Sequence, residues 1–190
     1  MTASPLRRPP EGLPPGIWVY LACEDDPRHC TGRRLVRYGL AREMTARARP
    51  SPGTLVLDPF APHCLTRRDE EGVARHGILV VDCSWNRLSH QSRFPDPPRR
   101  WIDRNPRRRL PLLLAANAQH FGHWGQLNTV EALGAAIFLL QGESRAREIL
   151  MRFGSGPSFL ATNGALLEGY REAADEREVQ TMEQRLFTAP

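Results

Sequence analysis

Three short segments of this 190-residue chain set polar or small residues where apolar strand signals stop: Cys30-Thr31-Gly32, Asp58-Pro59 and Asp82-Cys83-Ser84-Trp85. In an open parallel sheet, ligands sit beyond the carboxyl ends of the strands. These segments could therefore wall one cleft, opposed by Leu114-Ala115-Ala116-Asn117 and Asn128-Thr129. The same residues also suit ordinary strand-to-helix turns capped by Thr and Asp. All 26 basic residues are arginines. Without a lysine, Schiff-base catalysis and a standard phosphate-loop nucleotide hydrolase are excluded. The arginine forks suit phosphate and keep their charge. Four cysteines (Cys23, Cys30, Cys64, Cys83) form no CxxC pair, and His29-Cys30 and His63-Cys64 are adjacent pairs that suit one metal poorly. No metal site is expected, and the thiols read as reduced.

The elements that must hold these residues follow from composition and periodicity. Hydrophobic residues make up 41% of the chain, which is globular, and no apolar run reaches the ~20 residues of a membrane helix. Residues 1–16 hold five prolines and read as a flexible leader without a secretory signal. Ile17–Leu21, Thr54–Leu57 and Gly77–Asp82 read as strands, the last continuously apolar and so central in a parallel sheet. A short helix is expected after Thr31, taken as near its cap, and another after Thr66, with Asp69 completing a loose capping box. Strands alternating with helices predict an α/β lobe over 17–92. Residues 93–109 carry seven arginines with Phe94, Trp101 and several prolines, and read as an exposed loop. A helical lobe is expected over 110–175, with helices at Thr129–Leu140, Ser144–Phe153 and Ser158–Ala174, and 176–190 reads as a tail. Residues 168–190 carry a net charge of −3, so the positive field belongs to the body of the chain.

Taken in order, these motifs resemble the small-subunit ribosomal RNA aminocarboxypropyltransferases. The matching segments are Asp26-Pro27-Arg28-His29-Cys30-Thr31-Gly32-Arg33-Arg34-Leu35, Leu57-Asp58-Pro59-Phe60-Ala61, Val80-Val81-Asp82-Cys83-Ser84-Trp85, Leu110 to Asn117, and Leu127 to Leu133. A weaker match runs through Phe153, Phe159-Leu160, Asn163, Leu167 and Tyr170. The run Asn117-Ala118-Gln119-His120-Phe121-Gly122 departs from the family's usual Asn-Pro-x-Asn-Tyr-Gly, and no Trp stands near Ser155.

The resemblance implies a SPOUT-like parallel sheet with a trefoil knot, followed by an all-helical C-terminal half. It implies transfer of the 3-amino-3-carboxypropyl group of S-adenosylmethionine to N3 of a (methyl)pseudouridine in small-subunit rRNA. The sulfonium carries three electrophilic carbons, so orientation decides which one reacts. By the same likeness Trp85 packs the methyl and sulfonium, with cation–π help of ~0.5–2 kcal/mol. Thr31 meets the amino-acid end, Val81 the ribose through its carbonyl, and Leu110 the adenine through its amide. Trp124 and Gly125 through to Thr129 close the far side, and Leu57, Pro59 and Leu127 line the adenine slot. Asp82 is the candidate acceptor of the N3 proton, or else a cap on the following helix.

Arg28, Arg33, Arg34, Arg99, Arg100, Arg107 and Arg108 fit a phosphate-binding rim, with Trp101 and Phe94 as stacking partners for unpaired bases. A solvated basic loop is the alternative. Two other functions fit the same motifs: a SPOUT-type RNA methyltransferase and a non-catalytic rRNA-binding assembly factor. The expected setting is a cytoplasmic monomer acting on rRNA or a pre-ribosomal particle, away from membranes.

Overall fold

The structure, a computed structural model, describes residues 16–22, 30–45, 48–85, 94 and 102–188. Leader residues 1–15, residues 23–29 with Cys23 and Arg28, and Arg99, Arg100 and Trp101 lie outside the described residues. Five parallel strands form one sheet in the order β2-β1-β4-β3-β5: β1 Ile17–Leu21, β2 Arg42–Met44, β3 Leu55–Leu57, β4 Ile78–Asp82 and β5 Arg107–Arg108. β4 is central, as its unbroken apolar run requires, because both its faces are covered.

Side chains alternate across the sheet with the period of two that extended backbone imposes. Val19, Leu55, Leu57, Ile78 and Val80 join the large core on one face. Trp18, Tyr20, Val56 and Leu79 join Met44, Phe94 and Ile102 on the other. Among the described residues there are six α-helices: α1 Thr31–Arg37, α2 Glu70–His76, α3 Thr129–Gln141, α4 Glu143–Leu150, α5 Gly156–Glu172 and α6 Glu176–Thr188. α3 packs on α4, α5, α1 and β4, and ten of its residues are buried. Its dense Ala and Leu content is that of a helix enclosed nearly all round. No described helix is long and apolar enough to cross a membrane.

Some expectations hold and others change. Thr31 stands near the cap of α1 as the first helical residue, and the N-cap itself is Cys30, whose Sγ accepts from the Arg33 N–H at 3.3 Å. The helix start expected after Thr66 is present: a 3-10 turn, Arg67–Asp69, runs into α2, and the Thr66 N–H donates to Asp69 Oδ2 at 3.1 Å as in a capping box. Two parts of the arginine-rich stretch are not exposed loop. Phe94 is 4% and Ile102 1% exposed, and Arg107–Arg108 form the edge strand β5. Phe94 is therefore core, closed to an RNA base. The segment read as a tail holds α6, which buries Val179 and Glu183 against the body of the protein.

Candidate active site

Residues 110–117 form an extended wall that the sheet does not pair. Side chains supply the hydrogen bonds a neighbouring strand would have given. Glu183 Oε1 accepts from the Leu112 N–H (2.9 Å), and the Tyr170 hydroxyl donates to the Leu112 carbonyl (3.2 Å). Asn163, wholly buried, accepts from the Leu114 N–H (2.8 Å) and donates to its carbonyl (2.9 Å). The other edge meets the returning chain, where the Gly125 N–H donates to Leu113 (2.9 Å) and the Ala115 N–H to His123 (3.0 Å). Gly125 turns this return at φ 74, a conformation that favours glycine.

The end of the wall is tied to α3. Asn128 caps that helix by accepting from the Glu131 N–H (2.9 Å), and Glu131 Oε2 accepts in return from the Asn128 N–H (3.1 Å). The Glu131 carboxylate also takes the Ala116 N–H (3.2 Å) and Asn117 Nδ2 (2.7 Å). Burial pushes its pKa up, against the pull of these donors. One side chain thus fixes both 116–117 and the start of α3.

Two adjoining cavities lie between this wall and the strand ends. The first, of about 860 Å³ out to its open mouth, is lined mainly by apolar groups, among them Leu57, Pro59, Val81, Leu110, Gly125 and Leu127. The second, of about 1350 Å³ on the same measure, is polar, with Cys30, Thr31, Asp82, Asn117, His120 and Asn128. Cys83, Trp85 and Thr129 border both. Thr31, Val81, Trp85, Leu110, Gly125 and Thr129, together with Asp82, therefore each line one of these two adjoining spaces, whereas Trp124 lines neither.

Trp85 is anchored by donating Nε1–H to the Leu127 carbonyl at 2.8 Å, which joins the end of β4 to the opposite wall. Asp82, 8% exposed, accepts from the Gly32 N–H at 2.6 Å and the Cys30 thiol at 3.2 Å. Gly32 is required there, since a Cβ would stand 2.1 Å from Asp82 Oδ2. Burial pushes the Cys30 thiol up to about 11, so at neutral pH it is a hydrogen-bond donor rather than a nucleophile. Among the described residues no cluster of His, Cys, Asp and Glu could hold a metal ion.

The arginines divide. Arg33 is exposed, and Arg34 stacks over Phe153 at 4.8 Å and Tyr38 at 5.8 Å. Hydrogen bonding from Arg34 holds the Tyr38 hydroxyl below its usual pKa. Arg107 pairs with Asp58 at 3.1 Å, and Arg108 with Asp69 at 3.0 Å.

Residues 55–187 match the family model described as "Ribosome biogenesis protein, C-terminal". The protein named 16S rRNA aminocarboxypropyltransferase in Methanopyrus kandleri is 40% identical over 170 residues, covering 89% of this chain and 96% of that protein. Its counterpart in Vulcanisaeta distributa is 36% identical over 169 residues, covering 87% and 88%. The solved structure of the SAM-dependent rRNA:acp-transferase Tsr3 from Vulcanisaeta distributa superposes with a TM-score of 0.73 at 31% identity, over 92% of this chain and 98% of that one. This chain belongs to the 16S rRNA aminocarboxypropyltransferase family.

The family motifs marked the strand ends, Asn117 and Glu131, but not the other residues that hold the wall. Asn163 and Tyr170 stood only in the weaker match, and Glu183 lay in the acidic segment read as a tail. The signal that finds Glu183 is spacing: Glu176, Val179, Glu183 and Phe187 recur along one face of a helix.

Proposed function

We propose that this chain transfers the 3-amino-3-carboxypropyl group of S-adenosylmethionine to N3 of a pseudouridine, methylated or not, in small-subunit rRNA during ribosome biogenesis. The observation that carries this reading is the pair of cavities meeting at Cys83, Trp85 and Thr129. The first is mostly apolar, which suits a nucleoside. Among the described residues no acceptor takes the Leu110 N–H on its rim, leaving a donor for an adenine nitrogen. These features fit S-adenosylmethionine, whose sulfonium supplies an electrophilic Cγ when bound.

In this reading Leu110 and Val81 hold the nucleoside, Gly125 and Thr129 close the far side, and Thr31 receives the amino-acid end in the second cavity. Trp85 covers the methyl, so that the longer chain faces the acceptor. The bonds from Gly32 and Cys30 to Asp82 support reading it first as the clasp that fixes Thr31. As the acid beside the polar cavity, Asp82 is then our candidate acceptor for the N3 proton. Arg28, Arg33, Arg34, Arg99 and Arg100 are the proposed contacts to rRNA phosphates, whereas the pairing of Arg107 with Asp58 and of Arg108 with Asp69 supports a role for those two in the fold.

We further propose a cytoplasmic monomer, supported by a site whose two walls come from one chain. The knot and the helical C-terminal half implied by the resemblance are proposed as well. The parallel strand order, with 110–128 returning across the end of β4 and four helices following, supports both. Cofactor labelled in either the methyl or the carboxyl carbon, given with small subunits from cells lacking this protein, tests the function. Carboxyl label entering 16S rRNA supports the proposal. Methyl label would instead make the chain a methyltransferase, and neither label would make it a binding module.

A further inference from the structure

We propose that Glu183 is a positioning residue that presets the backbone of 109–112 for the adenine, an inference that rests on the function proposed above. Glu183 is 8% exposed, although it sits on the last helix, outside the described cavities. Its two oxygens take Arg109 as a bidentate pair (2.7 and 2.9 Å), and Oε1 also takes the Leu112 N–H (2.9 Å). One carboxylate thus grips both ends of a four-residue stretch. The Arg109 backbone is fixed from the other side, where its N–H donates to His63 (2.9 Å) and its carbonyl accepts from Leu65 (2.7 Å). Tyr170 holds the Leu112 carbonyl at 3.2 Å.

Within this clamp Pro111 has no N–H and Leu112 has given its own to Glu183, so Leu110 keeps the single donor left for a ligand. A backbone donor recognises a ring nitrogen well only when it is already aimed, because ordering it on binding subtracts from affinity. Phe187, one turn beyond Glu183, packs on Trp124 at 5.9 Å beside the returning chain. Helix α6 therefore braces the slot from behind without lining it.

Calorimetry with adenosine and with S-adenosylmethionine tests this. Glu183→Ala is expected to weaken both by the same factor, about tenfold. Glu183→Gln, which keeps an oxygen for Arg109 and Leu112, is expected to recover to within about threefold of wild type. Glu176→Gln perturbs the same helix at its contact with Cys64 and is expected to leave both affinities unchanged. Wild-type affinity in Glu183→Ala, or an equal loss in Glu176→Gln, would overturn the inference. If Glu183→Ala does not fold, Tyr170→Phe removes only the hydroxyl on Leu112 and is expected to weaken both ligands about threefold. Unchanged binding there also overturns it. A wild-type protein that binds neither ligand removes the proposed function itself, and this inference with it.

Discussion

Replacing Asn163 by aspartate changes one buried NH₂ for an oxygen and leaves the shape intact. Asn163 is 0% exposed; its Nδ2 donates to the carbonyls of Leu114 (2.9 Å) and Phe159 (3.0 Å), while Oδ1 accepts from the Leu114 N–H. An ionised carboxylate here would face two carbonyl oxygens without water. Burial and these acceptors both disfavour the charged form, so the introduced carboxyl titrates above its unfolded value of ~3.9. A group whose folded pKa is raised adds stability in acid that disappears as pH rises through that pKa. Fully buried carboxyls shift by about 3–5 units, each unit being 1.36 kcal/mol, so Asn163→Asp is expected to lose roughly 4–7 kcal/mol between about pH 4 and pH 9. That approaches the whole stability of an ordinary domain, ~5–15 kcal/mol. In acid the protonated carboxyl can still donate to one carbonyl, which leaves a deficit of only about 1 kcal/mol. Urea denaturation of Asn163→Asp and wild type across that range reads the difference directly. A deficit that stays constant with pH would refute the claim that Asn163 is a water-free clamp on the wall.

Trp85→Phe keeps a ring between the cavities but removes the N–H on Leu127; it is expected to weaken S-adenosylmethionine about three- to tenfold by calorimetry, and wild-type affinity would contradict the anchoring role. Glu176 is held below its usual pKa of 4.5, chiefly by the Cys64 N–H (2.7 Å) and also by His63. The stability it adds is present above the unfolded pKa and is lost as pH falls through the depressed folded one. The denaturation midpoints of wild type and Glu176→Gln are therefore expected to differ near neutrality and to converge in acid. A difference that persists in acid counts against the pairing.

What the sequence displayed, and what it hid, divides along physical lines. β1, β3 and β4 were legible because runs such as Ile78–Val81 must be buried wherever they lie. β2 and β5 were not, since Arg42–Met44 and Arg107–Arg108 join the sheet through main-chain pairing that side-chain composition does not report. The start of α1 was legible through Thr31, but its cap is the Cys30 thiol on the Arg33 amide, a residue type outside the usual capping set. Helix α6 was hidden because one of its two buried residues is Glu183, which hydrophobic periodicity counts as solvent-facing. Its carboxylate is buried only through partners far away in sequence, Arg109 and Leu112, and no local window contains those.

The same reasoning separates arginines paired within the fold from arginines exposed on its surface. Arg107, Arg108 and Arg109 are consecutive, yet each meets a carboxylate on a different element: Asp58 after β3, Asp69 before α2 and Glu183 on α6. Asp58 is 3% exposed, so drawing Arg107 onto a phosphate would strand a buried charge, a loss of about 3–5 kcal/mol. A phosphate contact gains mainly counterion release, a modest sequence-independent term. The fold therefore retains Arg107, and the paired, half-buried Arg108 follows the same logic. Arg33 and Arg37 stand exposed on α1, whose first turn borders the polar cavity through Thr31. Arg107, Arg108 and Arg109 thus fasten the sheet edge to three different elements, while Arg33 and Arg37 lie exposed on the helix that starts at that cavity.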